Sequence, residues 1–581
     1  MNPRPPQHLY RITPIALALS LAFAGQALAV DIDEYDAANH TLTYGNAAHG
    51  LDAISSSPFG STATSVISPL TNDTGGTVAD ASPSGNNVTL TNWTATDSDI
   101  VGGVALGTGS ATGNTVNIVN DTGTTAIPGV LIGGTLLGDG DANDNKVSIT
   151  ATNGSSITIT DITGGFGGTT GSAGGNEVLI ETDTTGTVTI SVNVDGAFVL
   201  EGNAGADGAA NTVTIKGNTS VTGDVHGGYA HTGAAQYNEV SIDGTSSTLA
   251  ITGFVFGGAT GTGATGTANH AAHNTVAITS ATIASSVFGG NVQSGLGAGG
   301  DAGYNQVTIT GSAISADVFG GKVNSPATGN ASDNKVSLTG GSVVGYIYGG
   351  YSALNNANNN KVEISGTNTS NAITGGYVDS FGTGAQQANG NQVTISGGSV
   401  AANRVVGGTT RGSDAANQAS GNTVNIDGTT FTDPNVSVVG GQTSNGQAGG
   451  NKVILANTTG VAYVVHGGEV DYGNAQYNEV TIGTGASVSA NVYGGYVAME
   501  GDANHNKVTI AGGAVTWDVF GGRTDDGDAS NNTVTYMSGS VGGSICGGYI
   551  DSSSSGTAAN NTVNLGVAGG AGLTVNGNLY E

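Results

Sequence analysis

Valine and isoleucine alternate with polar residues in short bursts along this chain, and most bursts open with an asparagine. Asn305, Val307 and Ile309 form one such set and are followed by Val318, Phe319, Gly320 and Gly321; the next set is Asn334, Val336 and Leu338, followed by Ile347, Tyr348, Gly349 and Gly350. Residues two apart share one face of a strand, so Asn, Val and Ile line one side and the residues between them the other. The intervening positions show which side is wet. Lys146, Lys335, Lys361, Lys452 and Lys507, with Glu177, Glu239 and Glu479, sit directly after the asparagine, so the Val and Ile face is the inner one.

A second strand is expected where Val or Ile recur four residues apart, as in Val343, Gly345 and Ile347 or Val488, Ala490 and Val492. On the opposite parity lie Asp317 and Phe319, Asn491 and Tyr493, and Asp224 and His226, which places the aromatic residues outside. The glycine pair that follows is expected to turn a sharp corner at positive φ, where a Cβ would clash.

The asparagine recurs at seventeen positions from Asn86 to Asn561, at spacings of 26 to 36 residues. A unit of about 30 residues with two or three short strands is the size of one coil of a parallel β-helix. The expected fold is therefore all-β, a single elongated right-handed parallel β-helix (solenoid) of about 17 coils. At about 4.8 Å per coil it would be a rod on the order of 80 Å long. Stacking sets equivalent residues in ladders, and the inward asparagines are expected to donate amide to amide from coil to coil.

Outside the repeat, residues 1–29 read as a secretory signal: Arg4 and Arg11, an apolar run from Ile15 to Ala24, then Ala27, Leu28 and Ala29 as a small-residue cleavage site. Residues 30–85 carry little of the pattern and are assigned as an N-terminal cap or spacer, and 86–581 as the tandem-repeat helix. Val575, Gly577, Leu579 and Tyr580 repeat the second strand just before Glu581, which suggests a longer protein that continues beyond it.

Composition narrows the function. The net charge is −30, and removal of Arg4 and Arg11 leaves ten Lys and Arg, too few for a phosphate-binding stripe, so nucleic acid is not an expected partner. One cysteine, Cys546, excludes a disulfide framework and a cysteine zinc cluster; it is expected to fill a repeat position otherwise held by Phe or Tyr. The acidic loops Asp139, Asp141, Asp144 and Asp525, Asp526, Asp528 lack a calcium-loop signature and read as solvated turns. Arg404, Arg411 and Arg523 show no neighbouring His and acid cluster along the sequence, so no catalytic residues, metal ligands or cofactor-binding residues are assigned, and no enzyme activity is expected. The non-core feature singled out is the outward column of Phe256, Phe288, Phe319, Tyr348, Tyr493 and Phe520, a possible ligand-facing aromatic ladder.

The leader, the scarcity of cysteine and tandem units such as Asn506-Lys-Val508-Thr-Ile510 leading to Asp518-Val-Phe520-Gly-Gly522 resemble the passenger region of bacterial autotransporters, the type V secretion family. That resemblance implies export through the periplasm of a Gram-negative bacterium. It also implies display at the cell surface or release as an adhesive or structural rod, with host or neighbouring-cell glycans or proteins, or other copies of itself, as partners. The family's C-terminal outer-membrane barrel has no counterpart in this chain, so membrane attachment would depend on a barrel outside it. Two alternatives stay open: a secreted β-helical enzyme acting on polysaccharide, which would show one cleft of acids and bases, and a calcium-dependent secreted repeat protein.

Overall fold

The structure is a computed structural model. It describes residues 84–580 apart from 86, 93–99, 106–108, 137–139, 169–170, 246, 262–268, 294–298, 380–383, 462, 552–555, 567–573 and 576. It also describes the backbone of three short strands nearer the N-terminus, Tyr35–Asp36, Thr41–Tyr44 and Val66–Ile67. The leader at 1–29 and most of the region at 30–85 lie outside the described residues.

A coil contributes two or three strands, as expected, and three in most of the described coils. In one coil these are Gln306–Thr310, Ala313–Ile314 and Val318–Val323; in the next, Lys335–Thr339, Ser342–Val343 and Tyr346–Ser352. Equivalent strands pair in parallel and in register, Val307 with Val336, Ile314 with Val343 and Phe319 with Tyr348. The result is an all-β parallel solenoid of more than a dozen turns. The first-strand ladder runs from Thr41–Tyr44, paired with Asn87–Thr91, to Thr562–Leu565.

The faces follow the alternation. Val307, Ile309, Ile314 and Val318 belong to one apolar core running from Val88 to Ile545, each at most 1% exposed. The residues after the asparagines point to solvent, where Lys146 meets Glu177 and Lys335 meets Glu363, both at 2.9 Å. Exposed pairs of this kind contribute about 0–1 kcal/mol each, so the core and the backbone ladders carry the stability.

The expected second strand is divided by a bend. Val343 ends the short second strand and Ile347 lies in the third; both are buried, so their four-residue spacing reads as one strand although Val344 and Gly345 turn the chain between them. The diglycine also differs from expectation. Neither Gly320 nor Gly321 has positive φ, and both lie inside the third strand. The glycines are needed because the asparagine that opens the next unit packs on them: a Cβ on Gly320 would lie 2.9 Å from Asn334 Cβ, and one on Gly321 2.5 Å from Asn334 Nδ2. The ladder pairing passes over Gly320, and this irregularity lets Phe319 and Lys322, three apart, share the outer side.

The left-handed corner sits instead immediately before the asparagine, at Asp144, Tyr237, His273, Tyr304, Asp333, Asn359, Tyr477, His505, Asn531 and Asn560, with φ of 56 to 60°. Tyr237, His273 and Tyr304 stack ring on ring there, at 4.6 and 4.9 Å.

The asparagine ladder is continuous from Asn114 to Asn561. Each Oδ1 accepts the Nδ2–H of the asparagine one coil earlier, at 2.9 to 3.1 Å, as in Asn305 to Asn334 and Asn334 to Asn360. The same oxygen also takes a backbone N–H, and Nδ2 donates in addition to an alanine carbonyl, as Asn334 does to Ala302. Most of these alanines lie three residues before an asparagine, and they form buried rows of their own.

One inner position breaks the rule. Asn368 is 1% exposed, and neither its Oδ1 nor its Nδ2 has a partner; it shares a ladder with Val400 and Phe431. A buried amide without hydrogen bonds is destabilising, so Asn368→Val should raise stability by about 1–2 kcal/mol. A melting temperature equal to or below that of the unaltered protein would contradict this.

Candidate functional site

The third strands put two columns on the outside of the rod, one just before each diglycine and one just after. The first runs Asp195, His226, Phe256, Phe288, Phe319, Tyr348, Thr374, Val406, Val439, His466, Tyr493, Phe520, Cys546 by register. The rings stack along it: Phe256 on Phe288 at 4.8 Å, Phe288 on Phe319 at 5.0 Å, Phe319 on Tyr348 at 5.2 Å and Tyr493 on Phe520 at 5.1 Å.

The expectation that this column is open to a ligand along its length does not match its burial. Phe256, Phe288, Phe319, Tyr493 and Phe520 are only 3 to 7% exposed. They are enclosed by each other and by the second column, with Tyr229, Ala259 and Tyr351 packed against the stretch from Phe256 to Tyr348. Tyr348 alone of the six is half-buried. Cys546 fills the same column beside Phe520, 4% exposed, and burial pushes its thiol up to about 11.

The aromatic stack stops after Tyr348 and resumes at His466. Over the intervening coils the column holds only Thr374, Val406 and Val439, and a groove of about 460 Å³ opens there. Phe319 and Tyr348 border it; the other four residues of the expected ladder do not. Its floor is Ala372, Thr374, Val406 and Thr409, its aromatic wall Tyr346, Tyr351 and Tyr377, and its charged groups Lys322, Arg404, Arg411, Asp317 and Asp379.

The wall is fixed by its own contacts. Tyr351 and Tyr377 stack at 5.4 Å, and both hydroxyls donate to Asp379, at 3.1 and 3.3 Å. Burial and the Asp379 charge raise both phenols, Tyr377 to about 12, so they remain donors. Lys322 Nζ lies 4.5 Å from the centre of the Phe319 ring; burial lowers its pKa, against the opposing pull of Asp317. Arg411 lies over Tyr377 at 5.4 Å.

Arg404 does have the His and acid neighbours that its own unit lacks. Its Nη2 is 3.5 Å from Glu469 Oε2, the oxygen that also meets His466 Nδ1 at 3.1 Å. Burial alone would raise Glu469, but His466 and Arg404 beside it, with Gln442 donating to it at 3.1 Å, hold it down to about 2. A second histidine–carboxyl pair, His226 with Asp195 at 2.7 Å, sits in the same column nearer the N-terminus and is buried against Phe256.

The acidic loops serve the backbone. Asp141 accepts the Ser172 N–H of the next coil at 2.9 Å, and Asp528 that of Thr557 at 2.7 Å; Asp139 lies outside the described residues. Among the described residues no three His, Cys, Asp or Glu converge as metal ligands.

The groove residues missed along the sequence were Tyr346, Tyr351, Tyr377, Asp379, Lys322, Arg404 and Arg411. Aligning units on the diglycine would have found several: the position after it reads Lys322, Tyr351, Tyr377 and Thr409 in successive coils. No family model matches the chain, and neither a curated protein nor a solved structure matches it.

Proposed function

We propose that this chain is an exported, surface-displayed adhesive rod that binds rather than transforms its target. The observation that supports the reading is the groove: a uniform ladder-built rod is interrupted on one outer face by a recess lined with tyrosines and cations. Recesses of this size with a few convergent polar groups suit ligand capture. The secretory character of residues 1–29 and the resemblance to autotransporter passengers support export through the Gram-negative periplasm and a position at the cell surface. Partners of this rod are host or neighbouring-cell surface glycans or proteins.

Fluorescently labelled protein added to a panel of host and bacterial cells tests this. Saturable attachment, competed by unlabelled protein, is the expected result. Absence of attachment to every cell type, with no self-association in sedimentation, would sink the reading.

A further inference from the structure

We infer that the groove beside Tyr348 is a binding site for an acidic sugar, a pyranose ring bearing a carboxylate; this rests on the adhesive reading above and names its ligand. Three observations converge on that chemistry.

The first is the unfinished stack. From His226 to Tyr348 every coil adds a ring at 4.8 to 5.2 Å, and the next position is Thr374. Beyond Tyr348 the next coil brings Tyr377 against it at a tilt of 58°, while Tyr346 and Tyr351 of its own coil flank it at 5.8 and 5.6 Å. An aromatic face is therefore left beside a low floor of Thr374 and Val406, and the flat C–H face of a pyranose can continue the stack there.

The second is how the cations are held. On the first sheet, Lys146, Lys216 and Lys335 each meet a carboxylate at 2.9 Å. In the groove, Lys322 and Arg411 lie against rings, and among the described residues neither has a carboxylate within ion-pair distance. Arg404 reaches Glu469 only at 3.5 Å, and its Nε has no partner.

The third is that the acids are already engaged. Asp379 accepts both tyrosine hydroxyls, and Asp317 accepts the Tyr346 N–H at 2.8 Å. Spare donors on the arginines and committed acceptors on the aspartates complement a ligand carboxylate, which a guanidinium can grip through two parallel hydrogen bonds. In a chain of net charge −30, three cations lining one recess are a concentrated exception.

Calorimetry with the full chain tests this, using a galacturonate trisaccharide and its methyl ester. The acid should bind, and the ester, which keeps the ring and loses the charge, at least tenfold more weakly. Arg411→Gln and Arg404→Gln should each weaken the acid about tenfold, and Arg411→Lys should restore part of the loss. Arg523→Gln, on the same outer face but outside the groove, should leave binding unchanged, with melting curves confirming that each variant is folded. Equal affinity for acid and ester, an equal loss in Arg523→Gln, or no binding of the acid would each overturn the assignment. If the acid fails to bind while the chain still attaches to cells, the groove assignment falls and the adhesive reading stands. If the acid binds but the chain attaches to no cell, the adhesive reading falls and the groove assignment stands.

Discussion

Gly321→Ala is expected to cost about 3–5 kcal/mol and to open the coils on either side of it. The added Cβ would overlap the Ala302 carbonyl oxygen and lie 2.5 Å from Asn334 Nδ2, so it strikes a backbone atom and displaces the buried amide that ties two coils together. Gly340→Ala is the matching control. Gly340 adopts φ 65° with nothing within 4 Å of an added Cβ, so only the left-handed conformation is penalised, by about 1–2 kcal/mol. Hydrogen exchange across residues 300–360 separates the two. If the diglycine were needed for a positive-φ turn, as the sequence suggests, both variants would cost the same.

The second large effect is expected at the asparagine itself. Asn334 Oδ1 accepts the Asn305 N–H and Nδ2–H, and its Nδ2 donates to Ala302 and Asn360. Asn334→Ala removes all four bonds at a site 1% exposed, where water does not replace them. Buried groups left unpaired cost about 1–3 kcal/mol each, partly relieved by relaxation, so a loss of about 3–5 kcal/mol is expected. Asn561 has the same Oδ1 acceptances but is 8% exposed, and Asn561→Ala should cost only about 1 kcal/mol. Thermal melts that place the two variants within about 1 °C of each other, against the several degrees such a difference in stability produces, would show that the ladder is not a stabilising element.

The two-residue alternation makes the faces legible in the sequence, because one buried side and one wet side leave no freedom in parity. The amide ladder was legible for a related reason: an asparagine that stays while its neighbour changes has a partner of its own kind. Val343 and Ile347 were misread as one strand because both point inward whether or not the chain bends between them. The diglycine was misread because its cause is the side chain of Asn334, distant along the chain, rather than local φ. The true left-handed corner escaped notice because Gly, Asn, Asp, Tyr and His all occupy it. The groove was hidden for the plainest reason: its residues run from Asp317 to Gln442, and no single unit contains enough of them to look like a site.

The amide ladder also gives the rod a polarity. In each asparagine one Nδ2–H is given to the Oδ1 of the C-terminal neighbour while its own Oδ1 accepts from the N-terminal one, so the amide-to-amide bonds run head to tail along the axis. At the asparagine position the two sides of a coil therefore differ: the C-terminal side offers an amide donor and the N-terminal side an amide acceptor. The asparagine thus pins the register of each coil to that of its neighbour independently of the variable loop between them. Because the amide joins coil to coil at one fixed point, the spacing between asparagines can range from 26 to 36 residues while the strands on either side keep their register.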